Sequence, residues 1–234
     1  MQGLEYNVDI VMCIDCTGSM GGLLEKVKTN ALRFYSDVKA SLDKKSKSIS
    51  SLRVKVIAFR DYYCDGDGSM LTTDFMSLPE RQSDFSDFVS KLRAEGGGDE
   101  PENGLEALAL AMQSDWATSG DRKRHIIVMW TDASAHELEK NSDSKPSNYP
   151  TDIPKNFDEI TDTWEDEQGG TMPSSSARRL LLFAPDAYPW TDIANNWELT
   201  IQYASKAGDG LEDIDYDVIS VSYTHLTLPT ILLV

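Results

Sequence analysis

Residues 8–38 read VDIVMCIDCTGSMGGLLEKVKTNALRFYSDV, and the change of period within this stretch decides the fold. Val8 to Ile14 is short and apolar at nearly every position, as a strand covered by helices on both faces must be. Asp15-Cys16-Thr17-Gly18-Ser19 follows as a polar turn. Leu23, Leu24, Val27, Ala31, Leu32, Tyr35 and Val38 then recur at helical spacing, which predicts a long helix from Ser19 to about Leu42. A buried strand that feeds an amphipathic helix through a tight turn is the opening of a βαβ unit.

The same alternation continues outward. The Lys/Ser stretch Asp43 to Ser51 reads as a solvated link, Val54, Val56 and Ala58 mark a second strand, and Met70 to Met76 a third, joined through the turn-rich Asp65 to Gly68. Phe85, Phe88, Val89 and Leu92 predict a short helix that ends at Gly96-Gly97-Gly98, and Glu102 to Gln113 another, with Pro101 near its first turn. His125 to Trp130 is a fourth strand and Leu180 to Ala184 a fifth. The fold class is therefore α/β, with a doubly wound, mostly parallel central sheet flanked by helices, in one domain over residues 5–220. Glu139 to Ala177 is a polar insertion in which Phe157, Ile160 and Trp164 can line one face of a short helix. Because it leaves the carboxyl end of the fourth strand, it is expected to form a rim or lid on the ligand-binding face.

Composition narrows the function. The 234 residues carry 22 Lys+Arg against 39 Asp+Glu, a net charge of −17. Such a surface lacks the clustered cations that phosphate backbones require, so neither nucleic acid nor an anionic membrane is an expected partner. No run of about 18 apolar residues occurs, so no bilayer span is expected. The N-terminus MQGLEYNVDIVM has acids where a secretory leader would carry bases, which leads to an expected cytoplasmic location. The three cysteines, Cys13, Cys16 and Cys64, are an odd set that suits a reducing compartment. Cys13 and Cys16 form a C-x-x-C, but Cys13 lies within the apolar strand, where a buried, inert thiol is expected rather than a redox or zinc centre. The last residues, Val221 to Val234, contain no Asp, Glu, Lys or Arg. Their SYTHLTLPT resembles translated sequencing adapter, so residues 221–234 are expected to replace a native C-terminus; the other reading is a terminal strand. Just before them, Leu211, Ile214, Val218 and Ile219 have the period of a final amphipathic helix.

Three polar pieces fall where a doubly wound sheet binds ligands, beyond the carboxyl ends of the strands at the point where strand order reverses. Asp15, Thr17 and Ser19 leave the first strand, Thr131-Asp132 ends the fourth, and Gly96-Gly97-Gly98-Asp99-Glu100-Pro101-Glu102 is a glycine-rich approach that brings backbone close. Asp15, Thr17, Ser19, Asp99 and Asp132 offer only oxygen donors, which suits Mg²⁺ first, then Mn²⁺ or Ca²⁺. Simpler roles exist for some of them. Asp99 and Glu102 form a D-x-x-E capping box, and Ser19 can cap the first helix. Asp15 has no such role, since a carboxylate ending an apolar strand needs a partner to offset its burial. His136, Asp61 and Asp186 are explained as surface or turn-capping groups.

D-x-T-x-S after the first strand, the GGGDEPE loop and T-D at the end of the fourth strand together resemble the von Willebrand factor type A domain with its metal-ion-dependent adhesion site. The FRDY at Phe59 to Tyr62 and LLLFAPDAYPW at Leu180 to Trp190 look like bacterial members of that family. The resemblance implies a Rossmann-like fold and no enzymatic activity. It further implies a Mg²⁺ (or Mn²⁺, Ca²⁺) ion held by Asp15, Thr17, Ser19 and Asp132, and capture of a protein partner through an acidic side chain at the metal. Thr17 stands where serine is usual. The family's threonine has no counterpart, and Asp99 is nearest to its position. A third ionised carboxylate would give the cluster a net charge of −1, which favours tight metal binding and a weaker or water-occupied partner position.

The contrasting function is a Mg²⁺-dependent haloacid-dehalogenase-like phosphatase, which also opens on an aspartate after its first strand. That chemistry needs an acid/base carboxyl at position 17, where Thr17 cannot exchange a proton usefully, and a paired acidic motif where only Asp132 stands. No P-loop, G-x-S-x-G or H-E-x-x-H occurs. A third reading makes the domain the regulatory part of a longer polypeptide.

Overall fold

The computed structural model describes residues 5–29, 31–33, 48–98, 100–120, 122–138, 146–166 and 176–205. Among them a seven-stranded sheet is formed by β1 (Glu5–Asp15), β2 (Ser48–Phe59), β3 (Met70–Thr72), β4 (Met76–Leu78), β5 (Arg122–Trp130), β6 (Arg178–Pro185) and β7 (Thr200–Ser205). The order is β3-β2-β1-β5-β6-β7, with β4 also pairing β2. β1, β2, β5, β6 and β7 run parallel, while the short β3 and β4 are antiparallel to β2. In register, Asp15 pairs with Phe59, Ile14 with Trp130, and Trp130 with Phe183, so the carboxyl ends of the central strands lie side by side. From β1 the chain builds outward first to β2 and then, across the sheet, to β5. The expected reversal of strand order therefore lies between β1 and β5.

The apolar run in β1 is continuous because each face meets its own helical layer. Ile10, Met12 and Ile14 pack with Met20, Leu24 and Val27 and with Phe85 and Val89. Met20 comes from the turn before the first helix, and the others from α1 (helical residues 24–29 and 31–33) and α2 (Gln82–Lys91). Val11 and Cys13 face the opposite way, towards Leu105, Leu108, Ile160, Trp164, Trp190 and Ile193. Those belong to α3 (Gly104–Met112), α4 (Phe157–Glu165) and α5 (Trp190–Asn196). Each fully buried Ile or Met contributes about 1.5–3 kcal/mol relative to exposure, so β1, buried on both faces, is strongly specified.

Several elements differ from the sequence expectations. The helix predicted from Ser19 is preceded by a 3₁₀ turn, Gly18–Gly22, whose three glycines disfavour an α-helical start. The predicted third strand is two short ones. The helix predicted from Glu102 begins at Gly104, because Glu102 makes a parallel bridge to Ala135. α5 and β7 were not anticipated: seven and six residues are too few to show a clear period, and β7 carries the exposed Ile201 on its polar outer side. The predicted end of the first helix, the final helix from Leu211 and the segment 221–234 lie outside the described residues. No helix among the described residues is long and apolar enough to cross a membrane.

The described part of the insertion builds core. Tyr149, Ile153, Ile160 and Trp164 are buried against the α3 layer, the Tyr149 hydroxyl donates to Glu106 Oε1 at 2.8 Å, and the Gln113 amide donates to the Asp152 carbonyl. Cys13 and Cys16 are buried free thiols; burial pushes Cys13 far up and Cys16 up to about 12, so neither offers a thiolate near neutral pH.

Candidate metal centre

Asp15 is the last residue of β1 and is completely buried. Its Oδ1 accepts from the Thr17 amide at 2.9 Å and from Thr17 Oγ1 at 2.6 Å, closing the turn on itself. Its Oδ2 accepts from Thr131 Oγ1 at 2.6 Å, which ties the ends of β1 and β5 together. Ser19 Oγ lies 3.1 Å from Thr17 Oγ1 and donates to Asp132 Oδ1 at 2.9 Å. Four of the five expected residues, Asp15, Thr17, Ser19 and Asp132, are thus brought together across the switch point, with Thr17 donating to Asp15 and Ser19 to Asp132. Asp99 lies outside the described residues.

The direction of these bonds has a chemical consequence. The Thr17 hydroxyl proton goes to Asp15 and the Ser19 proton to Asp132, so the remaining hydroxyl lone pairs are left as acceptors beside the cleft. Asp15, with three donors on its two oxygens, orients Thr17 and supplies negative charge from behind.

The glycine loop forms the opposite wall. The Glu95 amide donates to the Cys16 carbonyl and the Gly18 amide to the Gly96 carbonyl, both at 3.1 Å, so the two loops run as a short ladder. Gly96 and Gly97 have φ of 72° and 74°, conformations that favour glycine. The Gly97 amide donates to Asp65 Oδ2 at 2.9 Å. Between the walls lies a cleft of about 280 Å³ lined by Ser19, Gly97, Glu102 and Asp132 among others, and by none of residues 146–166. The described part of the insertion therefore flanks the site without covering it.

A Cβ on Gly97 would stand 2.8 Å from Glu102 Oε1 and 3.0 Å from Thr17 Cβ. Gly97→Val is accordingly expected to cost about 2–4 kcal/mol, from steric overlap together with the strain of a β-branched residue at positive φ. A chemical-denaturation midpoint equal to that of the wild type would contradict this.

Two groups that the sequence reading did not assign to the site belong to it. Glu102, taken as a helix cap, is 5% exposed and faces the cleft, while Asn103 stands at the N-cap of α3. Arg60, in FRDY, donates Nε to the Cys16 carbonyl at 3.0 Å, Nη1 to Gly68 at 2.8 Å and Nη2 to Arg93 at 2.9 Å, holding three loops from behind. Nothing local marks Glu102, since only the tertiary bridge to Ala135 turns it inward. An arginine at the end of an apolar strand was a signal for Arg60. The remaining polar candidates have local partners: Asp61 Oδ1 accepts from the Tyr63 amide at 2.7 Å, Asp186 Oδ1 from Thr191 Oγ1 at 3.1 Å, and His136 Nε2 sits 3.9 Å from Asp61 Oδ2.

Burial dominates the acids. It pushes Asp15 up to about 6, against the bonds from Thr131 and Thr17 that pull it down, with Asp132 adding repulsion. Burial and the surrounding Asp15, Asp61, Asp65 and Asp132 push Glu102 up to about 8. Asp132 is also raised, by burial first, with Ser19 opposing. Folded carboxyls with raised pKa values hold protons that the unfolded chain has released. Their contribution to stability is complete below the ordinary carboxylate range and is lost as pH rises through about 6 for Asp15 and about 8 for Glu102. In EDTA the melting temperature is therefore expected to be several degrees lower at pH 8.5 than at pH 5.5, at about 2–4 °C per kcal/mol for a domain of this size. A higher melting temperature at pH 8.5 would contradict the burial of these groups.

A mostly parallel sheet with a hydroxyl and carboxylate loop at its switch point defines a class of doubly wound α/β domain. More particularly, the chain belongs to the von Willebrand factor A domain family, whose family model matches residues 9–146. It is also 27% identical over 157 residues to the alpha-protein kinase vwkA of Dictyostelium discoideum, a match that covers 66% of this chain and 23% of that protein. Among solved structures, the pilus adhesin SpaC of Lactobacillus rhamnosus GG superposes with a TM-score of 0.52 at 14% identity, over 95% of this chain and 30% of the adhesin. A von Willebrand factor type A protein from Catenulispora acidiphila gives 0.52 at 13%, over 95% and 42%. The von Willebrand factor domain of the type V pili tip protein Mfa5 from Porphyromonas gingivalis gives 0.51 at 15%, over 95% and 97%. At these identities the solved structures establish the shared fold. The chain thus spans about a quarter of the kinase-named relative and less than half of two of the structural neighbours.

The residues present can be tested against the divalent cation that the family implies. Among the described residues, no group of three or more His, Cys, Asp or Glu side chains is gathered as a metal cage. The oxygens at the cleft are a mixed set instead: the Ser19 hydroxyl and the carboxyl groups of Glu100, Glu102 and Asp132 line it, and the Thr17 hydroxyl oxygen lies 3.1 Å from that of Ser19. Such an all-oxygen set fits a small hard cation.

Proposed function

We propose that the domain is a divalent-cation-dependent protein-interaction module, with Mg²⁺ or Mn²⁺, or less readily Ca²⁺, held by Thr17, Ser19 and Asp132 and oriented by Asp15. The observation that carries this reading is the pair of hydrogen bonds from Thr17 to Asp15 and from Ser19 to Asp132, with the two hydroxyl oxygens 3.1 Å apart. Both hydroxyl protons are thereby directed to carboxylates, and the Ser19 oxygen is left as an acceptor in the lining of an open cleft with the Thr17 oxygen beside it. A cation bound there would supply an electrophilic position for a carboxylate of a protein partner. The chain's own residues do the rest: Asp15 holds Thr17, Thr131 holds Asp15, and the Gly96–Gly98 backbone keeps the cleft narrow.

Binding is favoured over catalysis by the state of Asp15. A nucleophilic aspartate needs a free oxygen, whereas both oxygens of Asp15 are engaged by three donors and completely buried. Thr17 gives its proton to that same carboxylate, so no acid/base group stands two residues on. A role as one module of a longer protein is supported by the partial coverage of the kinase-named relative and of the pilus adhesin.

Acetate can serve as the carboxylate probe. In ¹⁵N spectra, Mg²⁺ is expected to shift the amides of Gly18, Ser19, Gly97 and Ala133, and acetate to shift them further only when Mg²⁺ is present. Acetate shifts of equal size in EDTA, or no Mg²⁺ shifts, would contradict the proposal.

A further inference from the structure

We propose that Glu102 is itself a direct ligand of the divalent cation, and that it takes the third position of the site that sequence reasoning gave to Asp99. The inference rests on the metal-binding reading above and goes beyond it by assigning a ligand from outside the expected set.

The backbone of Glu102 is pinned. Its amide donates to the Ser134 carbonyl at 3.0 Å, its own carbonyl accepts from the His136 amide at 2.8 Å, and the two segments form a bridge at Ala135. The residue is thereby tied to the segment that carries Asp132. The side chain, 95% removed from solvent, lines the cleft with Ser19 and Asp132. Oε1 lies within 2.8 Å of the point where a Gly97 Cβ would stand, and Thr17 Cβ within 3.0 Å of the same point, so the glycine makes room for both. Oε2 is buried and accepts no hydrogen bond among the described residues.

A structural role does not account for this placement. α3 starts at Gly104 with Asn103 at its cap, and the Asn103 side chain accepts from the Tyr62 amide at 2.6 Å, so Glu102 caps nothing. The charged groups acting most strongly on it are Asp15, Asp61, Asp65 and Asp132, all acidic. A buried carboxylate with an empty oxygen among other acids is costly unless a cation joins them. The carboxylates of Asp132 and Glu102 alone match the charge of a dication, Glu100 also lines the cleft, and the hydroxyls of Thr17 and Ser19 complete a hard-oxygen set. Metal affinity then belongs to the domain alone and does not wait for a partner's carboxylate.

The test is calorimetric titration of Mn²⁺ into the whole chain as wild type, E102Q, D99N and D15A, with melting temperatures measured in EDTA. E102Q keeps the shape and removes the charge. It is expected to weaken Mn²⁺ binding at least about tenfold, while melting in EDTA at or above the wild-type temperature, because a buried repulsive charge has gone. D99N should stay within about twofold. If the wild type binds and D15A does not, yet E102Q binds within twofold of wild type, the proposal is overturned and the metal reading stands. An E102Q variant that loses affinity and also melts lower in EDTA has lost a structural group, which likewise overturns it. A wild type that binds no Mn²⁺ overturns both.

Discussion

Asp15→Asn is expected to lower divalent-cation affinity roughly a hundredfold, about 2.7 kcal/mol, while leaving the domain folded. The asparagine has the same shape, and one of its atoms still accepts from the Thr17 amide and hydroxyl, as Oδ1 does now at 2.9 and 2.6 Å. What it lacks is charge. The ionised Asp15 lies immediately behind the two hydroxyls and raises the electron density of the Thr17 oxygen through a short, charge-assisted bond. Its amide would also present a donor to Thr131 Oγ1, which would have to reverse the sense of its present bond to Oδ2. Thr131 has a second contact, to the Ala133 carbonyl at 3.4 Å, that can take its proton after reversal. Because a buried carboxylate with a raised pKa is removed, the metal-free variant should melt no lower than the wild type above pH 7. Unchanged Mg²⁺ affinity in Asp15→Asn would mean that charge behind the hydroxyls is irrelevant to the site.

Arg60→Met should give the largest loss of stability of any substitution at the site, about 3–5 kcal/mol. The guanidinium is 8% exposed and donates to three carbonyls, on Cys16, Gly68 and Arg93, each from a different loop. Bonds from a charged donor contribute about 1.5–3 kcal/mol each but are not additive, and their loss leaves three partly buried carbonyls to find other donors. The Glu95 carboxylate, 3.6 Å away but mostly exposed, adds little. Methionine can fill the stem's volume, so the loss reports hydrogen bonding more than packing. For a domain of this size the melting temperature should fall by about 6–20 °C. The site is expected to loosen as well, because the Cys16 carbonyl that Arg60 holds also receives the Glu95 amide at the start of the glycine loop. A melting temperature within about 2 °C of wild type would contradict this role.

The parts of the fold that were legible in the sequence are those whose burial is simple. β1, β5 and β6 are buried on both faces and read as unbroken apolar runs, and α4 shows Ile160 and Trp164 four residues apart on a single inward face. β7, an edge strand with exposed Ile201, carries little pattern, and α5 is too short for one. At the site, Asp15, Thr17, Ser19 and Asp132 were legible because each sits at a strand end or within four residues of one. Glu102 was not, since its D-x-x-E spacing is that of a capping box and only the pairing of residue 102 with residue 135 removes it from the helix. The polar composition of the insertion concealed Tyr149 and Ile153, which join Ile160 and Trp164 in covering the α3 layer. Deleting it would expose that core.

The most direct test is the electron paramagnetic resonance signal of Mn²⁺ titrated into the metal-free protein at pH 8, followed by competition with Mg²⁺. Loss of the free-ion signal at a single site with at most millimolar dissociation constant, reversed by Mg²⁺ and absent in Asp132→Ala, is the predicted result. A free-ion signal unaffected by millimolar protein, or equal binding by Asp132→Ala, would contradict a metal centre at the β1–β5 switch point.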